Sequence, residues 1–507
     1  MTDSFFEHAE ILSGLLNTDP EKAIQEAKKI DHEDVNYIAL SAATLVDGGE
    51  LVKNLEAVTE GVELFRSLLK KHAVVQFKYN LANGLVALMG RFNNDSEWLA
   101  FMESNRLKRK EARELYWDVA NSTDSDVILQ TQAWTNLANQ LSSSFRMSEA
   151  HDSRLLALKI DPENGVAAAS ASKDLLWLYH LGICSEVTIS EAAMLAKIAC
   201  DNSVKVEQYA GKQYAEELLK FANQFEDIPD RNEHEDSFLN WIELERLTLS
   251  PVVELIDPTY ESIDWLILLS ITSELNADNI VPPIFAMFNT LKSDFILARD
   301  LVWRVISDSP FPNTGRYSDT LDYALYGPEI SALASAYKIA LDILDKVAIA
   351  ANHYFNFGES AENISFSNLW RSKNNKTKEY TLKPSIYAVI NSKAPALYGL
   401  VELADDFRDP KGIRSHHKNT RNLSTHRFIV LHDFGSYPVP DQLTEIGHFV
   451  KSDFEKEVIS ALRVCRASIQ LLAFAIRQNE QYLKSHHDGF YVTMDVPDHN
   501  YIRGSDN

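Results

Sequence analysis

The first 225 residues show a helical periodicity with an internal echo, and these features constrain the fold more than any others in the chain. Apolar residues recur at spacings of three and four, proline is rare, and sustained alternation of β-branched residues is absent. Segments 79–84 and 134–140 share an aromatic residue, an Asn-Leu-Ala-Asn core and a small or polar follower. Because a lone helix pair cannot bury its apolar face, repeated pairs stack, and the pattern predicts a helical-repeat solenoid over residues 1–225.

The second copy of the echo extends into a pattern that resembles a tetratricopeptide (TPR) repeat. It continues through Phe145-Arg146 and Glu149-Ala150, with a small alanine for close helix contact, and stops at Asp161-Pro162. Asp19-Pro20 is typical of a further helix start, with proline in the first turn. The resemblance implies a concave face that captures a peptide or protein. An irregular helical bundle without repeat register is the alternative for these residues.

Length, cysteine usage and hydropathy bound the class of protein. The 507 residues are enough for two or three domains, each with its own core. The three cysteines are scattered without metal-ligand spacing, and an odd number argues against a disulfide framework. The chain shows neither an apolar run near 18 residues nor a basic start followed by an apolar stretch. We therefore expect a reduced, cytoplasmic protein with no membrane partner.

Charge is distributed unevenly along the chain. The formal net charge is −24, which disfavours non-specific binding to nucleic acid. Residues 226–278 are strongly acidic, and within them we expect residues 226–258, which contain three prolines, to form an acidic connector. Residues 371–427 are net basic. This distribution predicts one local cationic site; the alternative for 371–378 is a loop of solvated surface charges.

The second half of the chain again predicts helices. The apolar spacing favours a long helix from Pro328 to about Phe355, a helix over 394–407 and a final amphipathic helix over about 454–478. A polar, asparagine-rich insertion covers 358–381. Residues 481–507 are expected to form a tail with a short strand at 491–494. The whole chain is therefore predicted to be all-α.

The pattern Arg-x4-His occurs three times, at Arg146/His151, Arg421/His426 and Arg427/His432. The first copy lies in a predicted repeat turn, and the third encloses the apolar run 428–431, which is typical of burial. Only the second has a polar residue, Asn422, directly after the arginine, in a cationic neighbourhood. An always-charged guanidinium beside an imidazole that titrates near neutrality is a minimal set for metal-free RNA cleavage.

The order of elements around this copy resembles the HEPN superfamily (higher-eukaryote and prokaryote nucleotide-binding domain). A long helix, an insertion, a short helix, Arg421-Asn422 with His426, then Arg427-Phe428 and a final long helix match that family over about 255–480. The surroundings are similar to a bacterial HEPN subfamily joined to TPR repeats. We place the HEPN helical bundle at 259–480, after the TPR-like solenoid and the connector.

The resemblance implies a metal-independent endoribonuclease of prokaryotic defence that needs no cofactor. It implies a homodimer through the HEPN domain, with an RNA substrate and a possible protein regulator on the solenoid. Arg421, Asn422 and His426 are the expected catalytic residues, and Arg414, Lys418 and Arg427 are the expected substrate-binding residues. Some HEPN domains lack activity, so a catalytically silent scaffold that binds a protein partner is the alternative.

Spacing alone leaves a structural alternative for the second copy. In that alternative Arg421 caps a helix or pairs with Asp405, Asp406 or Asp409, and His426 is partly buried. For His416, His417 and His432 a structural role is favoured, and a His-His pair without nearby Cys or carboxylate spacing is weak support for zinc. The sequence lacks phosphate-binding loops, a Gly-x-Gly-x-x-Gly fingerprint, His-Glu-x-x-His and Gly-x-Ser-x-Gly. An ATPase, a dehydrogenase, a zinc protease and a serine hydrolase are therefore disfavoured.

Overall fold

The structure is a computed structural model, and it describes most of the chain. The described residues are 3–30, 34–90, 97–183, 187–224, 236–251, 263–268, 270–272, 281–307, 309, 311–376, 378–409, 412–415, 417, 428–434, 445–486 and 493–494. They fall into two compact units. Unit 1 comprises 1–143, 150–168 and 202–205, and unit 2 comprises 144–149, 169–201 and 206–507.

Helices dominate the described residues, as the predicted all-α class requires. The first fourteen are α1 (Asp3–Thr18), α2 (Pro20–Lys28), α3 (Val35–Leu51), α4 (Leu55–Leu69), α5 (Val75–Met89), α6 (Trp98–Ser104), α7 (Arg106–Ala120), α8 (Val127–Ser142), α9 (Met147–Ile160), α10 (Gly165–Leu181), α11 (Val187–Asp201), α12 (Ser203–Ala210), α13 (Lys212–Ala222) and α14 (Ser237–Leu244). The later helices are α15 (Pro283–Ile306), α16 (Pro328–Phe355), α17 (Pro384–Ser392), α18 (Leu397–Arg408) and α19 (Lys451–His486).

The small residues of the echo allow the helices of unit 1 to pack closely. Ala82 on α5 and Ala138 on α8 are both fully buried in the same core cluster. Gly84 lies so close to α4 that a Cβ atom there would stand 2.6 Å from Val62 Cγ2. The echo's asparagines also meet: Asn83 Oδ1 accepts hydrogen bonds from Tyr116 at 2.7 Å and from Asn136 at 3.3 Å. The N-terminal region is thus helical and repeat-like, as expected.

Helix boundaries in unit 1 follow the sequence signals. Asp19 Oδ1 accepts from the backbone N–H of Lys22 at 3.1 Å and caps α2, whose first residue is Pro20. The helix α9 ends at Ile160, directly before Asp161-Pro162. A cap satisfies free backbone N–H groups and a proline restricts φ within the same few residues. Helix boundaries of this kind can therefore be predicted from the sequence without knowledge of the tertiary structure.

Unit 2 is organised around α19, which packs against α15, α16 and α18. The sequence predicts an amphipathic helix over about 454–478; the structure instead has a longer helix whose middle is buried nearly all round. It is long and apolar enough to cross a membrane, but 89% of its most apolar window lies inside the protein. A helix covered on several sides by other helices needs apolar residues on every face, which explains the departure from amphipathicity.

The described part of the predicted acidic connector packs into unit 2. Trp241 and Ile242 of α14 are buried, and Arg466 on α19 donates to the carbonyl of Thr248 at 2.6 Å. Gln470 donates to the carbonyl of Leu249 at 2.9 Å. Residues 236–251 therefore pack against α19 through buried apolar side chains and through backbone carbonyls that accept from its polar side chains.

Short strands accompany the helices of unit 2. They are β1 (Ile271–Thr272), β2 (Ala324–Leu325), β3 (Arg371–Lys373), β4 (Tyr380–Leu382), β5 (Phe428–His432), β6 (Ile446–Val450) and β7 (Thr493–Met494). The strands β2, β5 and β6 form a sheet with β5 in the centre, antiparallel to β2 and parallel to β6. The expected short strand near 491–494 is confirmed, since β7 pairs with β1.

The polar insertion 358–381 is anchored rather than freely solvated. Trp370 is fully buried, and the hairpin of β3 and β4 follows it. Arg371 at the start of β3 is also buried and binds Asp405 on α18. Arg371 therefore contributes neither to the predicted local cationic site nor to the alternative loop of solvated charges, because its charge is neutralised inside the protein.

Candidate active site

The predicted catalytic segment lies outside the described residues, but both of its flanks are described. Arg421, Asn422 and His426, with Lys418 and Arg427, fall in the range 418–427. His417 immediately precedes this range and Phe428, the first residue of β5, immediately follows it. The described flanks therefore define where the chain enters and leaves the segment.

The upstream flank is fixed by the buried side chain of His417, which is 0% exposed. Its Nδ1 lies 2.8 Å from Glu457 Oε1 and 3.1 Å from the hydroxyl of Tyr337. Its Nε2 lies 3.5 Å from Ser460 Oγ. The ring also stacks on Phe407, with centroids 5.8 Å apart and planes at 24°. Three helices, α16, α18 and α19, thus hold this one imidazole.

The hydrogen-bond partners of His417 assign its proton. A carboxylate only accepts, so Nδ1 donates to Glu457, and the Tyr337 hydroxyl donates to the same oxygen at 3.2 Å. Arg414 Nη1 donates to Ser460 Oγ at 3.2 Å, and the same oxygen lies 3.5 Å from Nε2 of His417. Because a hydroxyl oxygen can accept two hydrogen bonds as well as donate one, these contacts fix the proton on Nδ1 and not the state of Nε2.

Arg414, predicted to bind substrate, has a largely enclosed guanidinium. Burial lowers the pKa of the Arg414 guanidinium, and the nearby Glu149 carboxylate opposes that effect. Its backbone N–H donates to the carbonyl of Asp406 at 3.3 Å. Arg414 therefore joins α18 to α19 in this structure, and its substrate-binding role stays a prediction.

The downstream flank is the central strand β5. Leu431 is fully buried as the apolar pattern of 428–431 predicts, but Phe428 is 73% exposed, so the prediction of burial is wrong at that position. Successive residues of a strand face opposite sides, and the start of β5 lies at the surface of the unit. The strand β5 thus begins at the surface with Phe428 and reaches the core at Leu431.

A pair of imidazoles lies on the same sheet. His432 Nδ1 is 2.9 Å from the carbonyl oxygen of Asp322 and must donate to it, because a carbonyl only accepts. In the neutral form, His432 Nε2 then accepts from Nδ1 of His448, 2.8 Å away on β6. His432, the histidine of the third Arg-x4-His copy, is therefore a buried link between β6 and the residues before β2, as the structural interpretation expects.

Arg146, from the first Arg-x4-His copy, is buried in a cluster of carboxylates within unit 2. It forms a bidentate pair with Glu149 at 2.6 and 2.7 Å, and its Nη1 donates to Asp406 at 2.6 Å. Burial disfavours the charged guanidinium, but Glu149 and Asp406 outweigh that effect and raise the pKa of Arg146. This arginine has a structural partner set, which agrees with its exclusion on sequence grounds.

The three carboxylates considered as partners of Arg421 all have other arginine partners. Asp405 accepts two bonds of 3.0 Å from Arg371 and one from Arg408, and Asp406 accepts from Arg146. Asp409 accepts from Arg408 Nε at 3.3 Å. Asp405 and Asp406 are buried with these partners, while Arg421 itself lies outside the described residues, so its structural alternative stays open.

Sequence reasoning missed the array around His417. The sequence does place Glu457 and Ser460 one helical turn apart on α19, so that both can face the same neighbour. Polar pairs at this spacing are common on any helix, however, and this pair alone could not identify His417 as the neighbour. Within the described ranges, no group of three or more His, Cys, Asp or Glu side chains is arranged to hold a metal ion.

Comparison with known proteins identifies one region. Residues 275–479 match the family model described as LA2681-like HEPN. This range includes α15 through most of α19, the His417 array and the segment 418–427. A search of curated proteins finds no match to the chain.

Proposed function

We propose, from the HEPN domain at residues 275–479, that this protein is a metal-independent endoribonuclease of prokaryotic antiphage defence. HEPN domains are generally ribonucleases, and the matched range contains the Arg-x4-His copy with the polar follower, Arg421, Asn422 and His426. The proposal rests on one observation: the range that matches the HEPN family model contains this motif. The exclusion of Arg146 by its buried ion cluster removes one competing copy.

The proposed chemistry is a transesterification within the RNA. Neutral His426 takes the proton from a 2′-hydroxyl, and the 2′-oxygen attacks the adjacent phosphorus while the bond to the 5′-oxygen breaks. A second imidazole, His426 of the partner subunit, gives a proton to the leaving 5′-oxygen. The products are a 2′,3′-cyclic phosphate and a 5′-hydroxyl, and no oxidant, cofactor or metal ion enters the balance.

Charged and amide side chains complete the proposed site. Arg421 contacts the non-bridging phosphate oxygens and favours the transition state, in which they carry more charge. Asn422 orients the imidazole or the phosphate. Lys418, Arg427 and Arg414 supply positive potential for the RNA backbone in a protein whose net charge is −24. The acidic remainder repels RNA and so restricts binding to this locality.

The proposed active species is a homodimer with a regulated site. A single Arg421/His426 copy supplies one imidazole, whereas cyclisation needs a base and an acid. A two-fold interface brings a second copy close to the first, since each residue near the axis meets its twin. The helical repeat-like region is proposed to be TPR-related and to bind a protein regulator that opens or closes the site.

Substitution of the motif tests the proposal. RNA cleavage, or growth arrest on expression, should be abolished by Arg421→Ala and by His426→Ala, with unchanged circular dichroism. Arg316→Ala, which removes an exposed arginine elsewhere in unit 2, is the matched control and should keep full activity. Full activity of both motif variants would show that the assigned site is wrong. An inert wild type under every trigger would favour the silent scaffold.

A further inference from the structure

A buried hydrogen-bonded array lies immediately upstream of the predicted catalytic segment. Four peptide units join His417 to Arg421, and two join His426 to Phe428. We infer that the Glu457–His417 pair is a positioning device that fixes the entry of the segment 418–427. This inference rests on the function proposed above, because it assigns to that segment the reacting groups.

The array has the properties of a fixed anchor. His417 and Tyr337 are both 0% exposed, so neither side chain reaches a substrate in solvent. Both ring nitrogens of His417 have hydrogen-bond partners within 3.5 Å, and Phe407 covers one face of the ring. A buried ring with its tautomer set by a carboxylate has one favourable orientation, and rotation would leave Glu457 without this donor.

The anchor is connected to rigid elements rather than to loops. Glu457 and Ser460 lie one turn apart on α19, the long core helix, and Tyr337 lies on α16. On the chain side, the His417 backbone N–H donates to the carbonyl of Arg414 at 3.2 Å, and Arg414 in turn donates to the carbonyl of Asp406 on α18. The entry to the segment is therefore fixed by both the side chain and the backbone.

Such fixing matters because the proposed reaction depends on orientation. A displacement of reacting groups of about 1 Å can lower a rate by about a hundredfold. The array precedes residues that are assigned to phosphate contacts and to proton transfer, so its loss should lower the rate of the chemical step at saturating RNA and weaken RNA binding as well. A merely stabilising role would instead lower the thermal midpoint and leave the rate of folded protein unchanged.

The domain contains a matched control for this distinction. Tyr337 and Tyr354 both lie on α16, and each donates to a glutamate on α19: Tyr337 to Glu457 at 3.2 Å and Tyr354 to Glu480 at 2.5 Å. Substitution by phenylalanine removes one hydroxyl and one Tyr–Glu hydrogen bond in either case. Only the Tyr337 hydroxyl also lies against His417.

Single-turnover cleavage of a labelled single-stranded RNA by the full-length chain tests the inference. Tyr337→Phe and His417→Phe should lower the maximal rate at saturating RNA about tenfold to a hundredfold. Tyr354→Phe should keep the wild-type rate. Glu457→Gln, which can still accept from Nδ1, should retain more activity than Glu457→Ala. Equal losses in Tyr337→Phe and Tyr354→Phe, or an unchanged rate in His417→Phe, would overturn the inference.

A second measurement is independent of activity and separates this inference from the proposed function. Amide hydrogen exchange of peptides that cover 412–434 should accelerate about tenfold or more in His417→Phe and Tyr337→Phe, and stay unchanged in Tyr354→Phe. If exchange is unchanged in all three, the positioning role is rejected even if the protein cleaves RNA. If exchange changes as expected while Arg421→Ala stays active, the anchor holds and the assigned catalytic site is wrong.

Discussion

Arg146 and Asp406 are separated by 260 positions in the sequence, yet Arg146 Nη1 donates to Asp406 Oδ2 at 2.6 Å in the interior of unit 2. Glu149 makes two further bonds to the guanidinium, and Glu402 Oε2 lies 3.8 Å from Nη1. Three carboxylates around one buried arginine make the cluster depend on that arginine, because a buried carboxylate without a partner is strongly destabilising.

Arg146→Ala should therefore lower the free energy of unfolding by about 3–5 kcal/mol. Urea denaturation of the wild type and the variant measures this difference. The exposed pair of Arg304 with Asp300, 3.0 Å apart, is the control, and Arg304→Ala should cost less than about 1 kcal/mol. A stable Arg146→Ala protein that has lost RNA cleavage would instead place catalysis at the first Arg-x4-His copy.

Asp47 on α3 provides a pH dependence in unit 1. Burial of its carboxyl, with a smaller contribution from Glu50, raises the pKa of Asp47 to about 6. The folded state therefore binds the proton more tightly than the unfolded state, and the stability contributed by the protonated form is lost as the pH rises from about 4 to about 6. Asp47 as a whole residue is exposed although its carboxyl lies among neighbouring atoms, so solvent screening limits the effect to about 1 kcal/mol or less.

Asp47→Asn should consequently stabilise the protein relative to wild type at about pH 7 and have little effect at about pH 4. Urea midpoints at the two pH values measure the difference between the two proteins, in which contributions from the other titrating groups cancel. A stabilisation of the same size at both pH values would contradict a titration of Asp47.

Metal independence is expected for the proposed ribonuclease, because Arg421 and two imidazoles supply the charge stabilisation and the proton transfers. Cleavage should persist in excess chelator, leave cyclic-phosphate ends, and follow a bell-shaped pH–rate profile. Mass spectrometry of the products identifies the ends. Activity that disappears on chelation and returns with added magnesium or zinc would be incompatible with this mechanism.

Subunit mixing tests the proposed composite site. A dimer of one wild-type and one His426→Ala chain contains only one of the two imidazoles that the proposed reaction needs, so it should be inactive. Excess His426→Ala protein should therefore abolish wild-type cleavage under conditions of subunit exchange, whereas mixing without exchange at saturating RNA should leave the wild-type rate unchanged. A wild-type chain that light scattering shows to be a fully active monomer would rule out the shared site.

The local features of the fold were readable from sequence because they depend on neighbours in the chain. The predicted helix from Pro328 to about Phe355 is α16, and Asp19-Pro20 and Asp161-Pro162 mark helix boundaries as expected. The alanines of the echo are buried contacts of the unit 1 core. Helical periodicity, caps and proline restrictions act over a few residues, so one sequence suffices to recognise them.

For the candidate site, the sequence by itself indicated the motif and the resemblance to HEPN domains, while tertiary structure decided the contacts of the described residues on either side of it. Arg371 looks like a surface cation in the sequence but is buried against Asp405, and His417 looks like one of several histidines but joins three helices. Phe428 looks built for burial but is exposed. Such outcomes depend on partners 34 to 260 positions away, and the free energy of burying a charge or a ring is set by those partners, which no local pattern specifies.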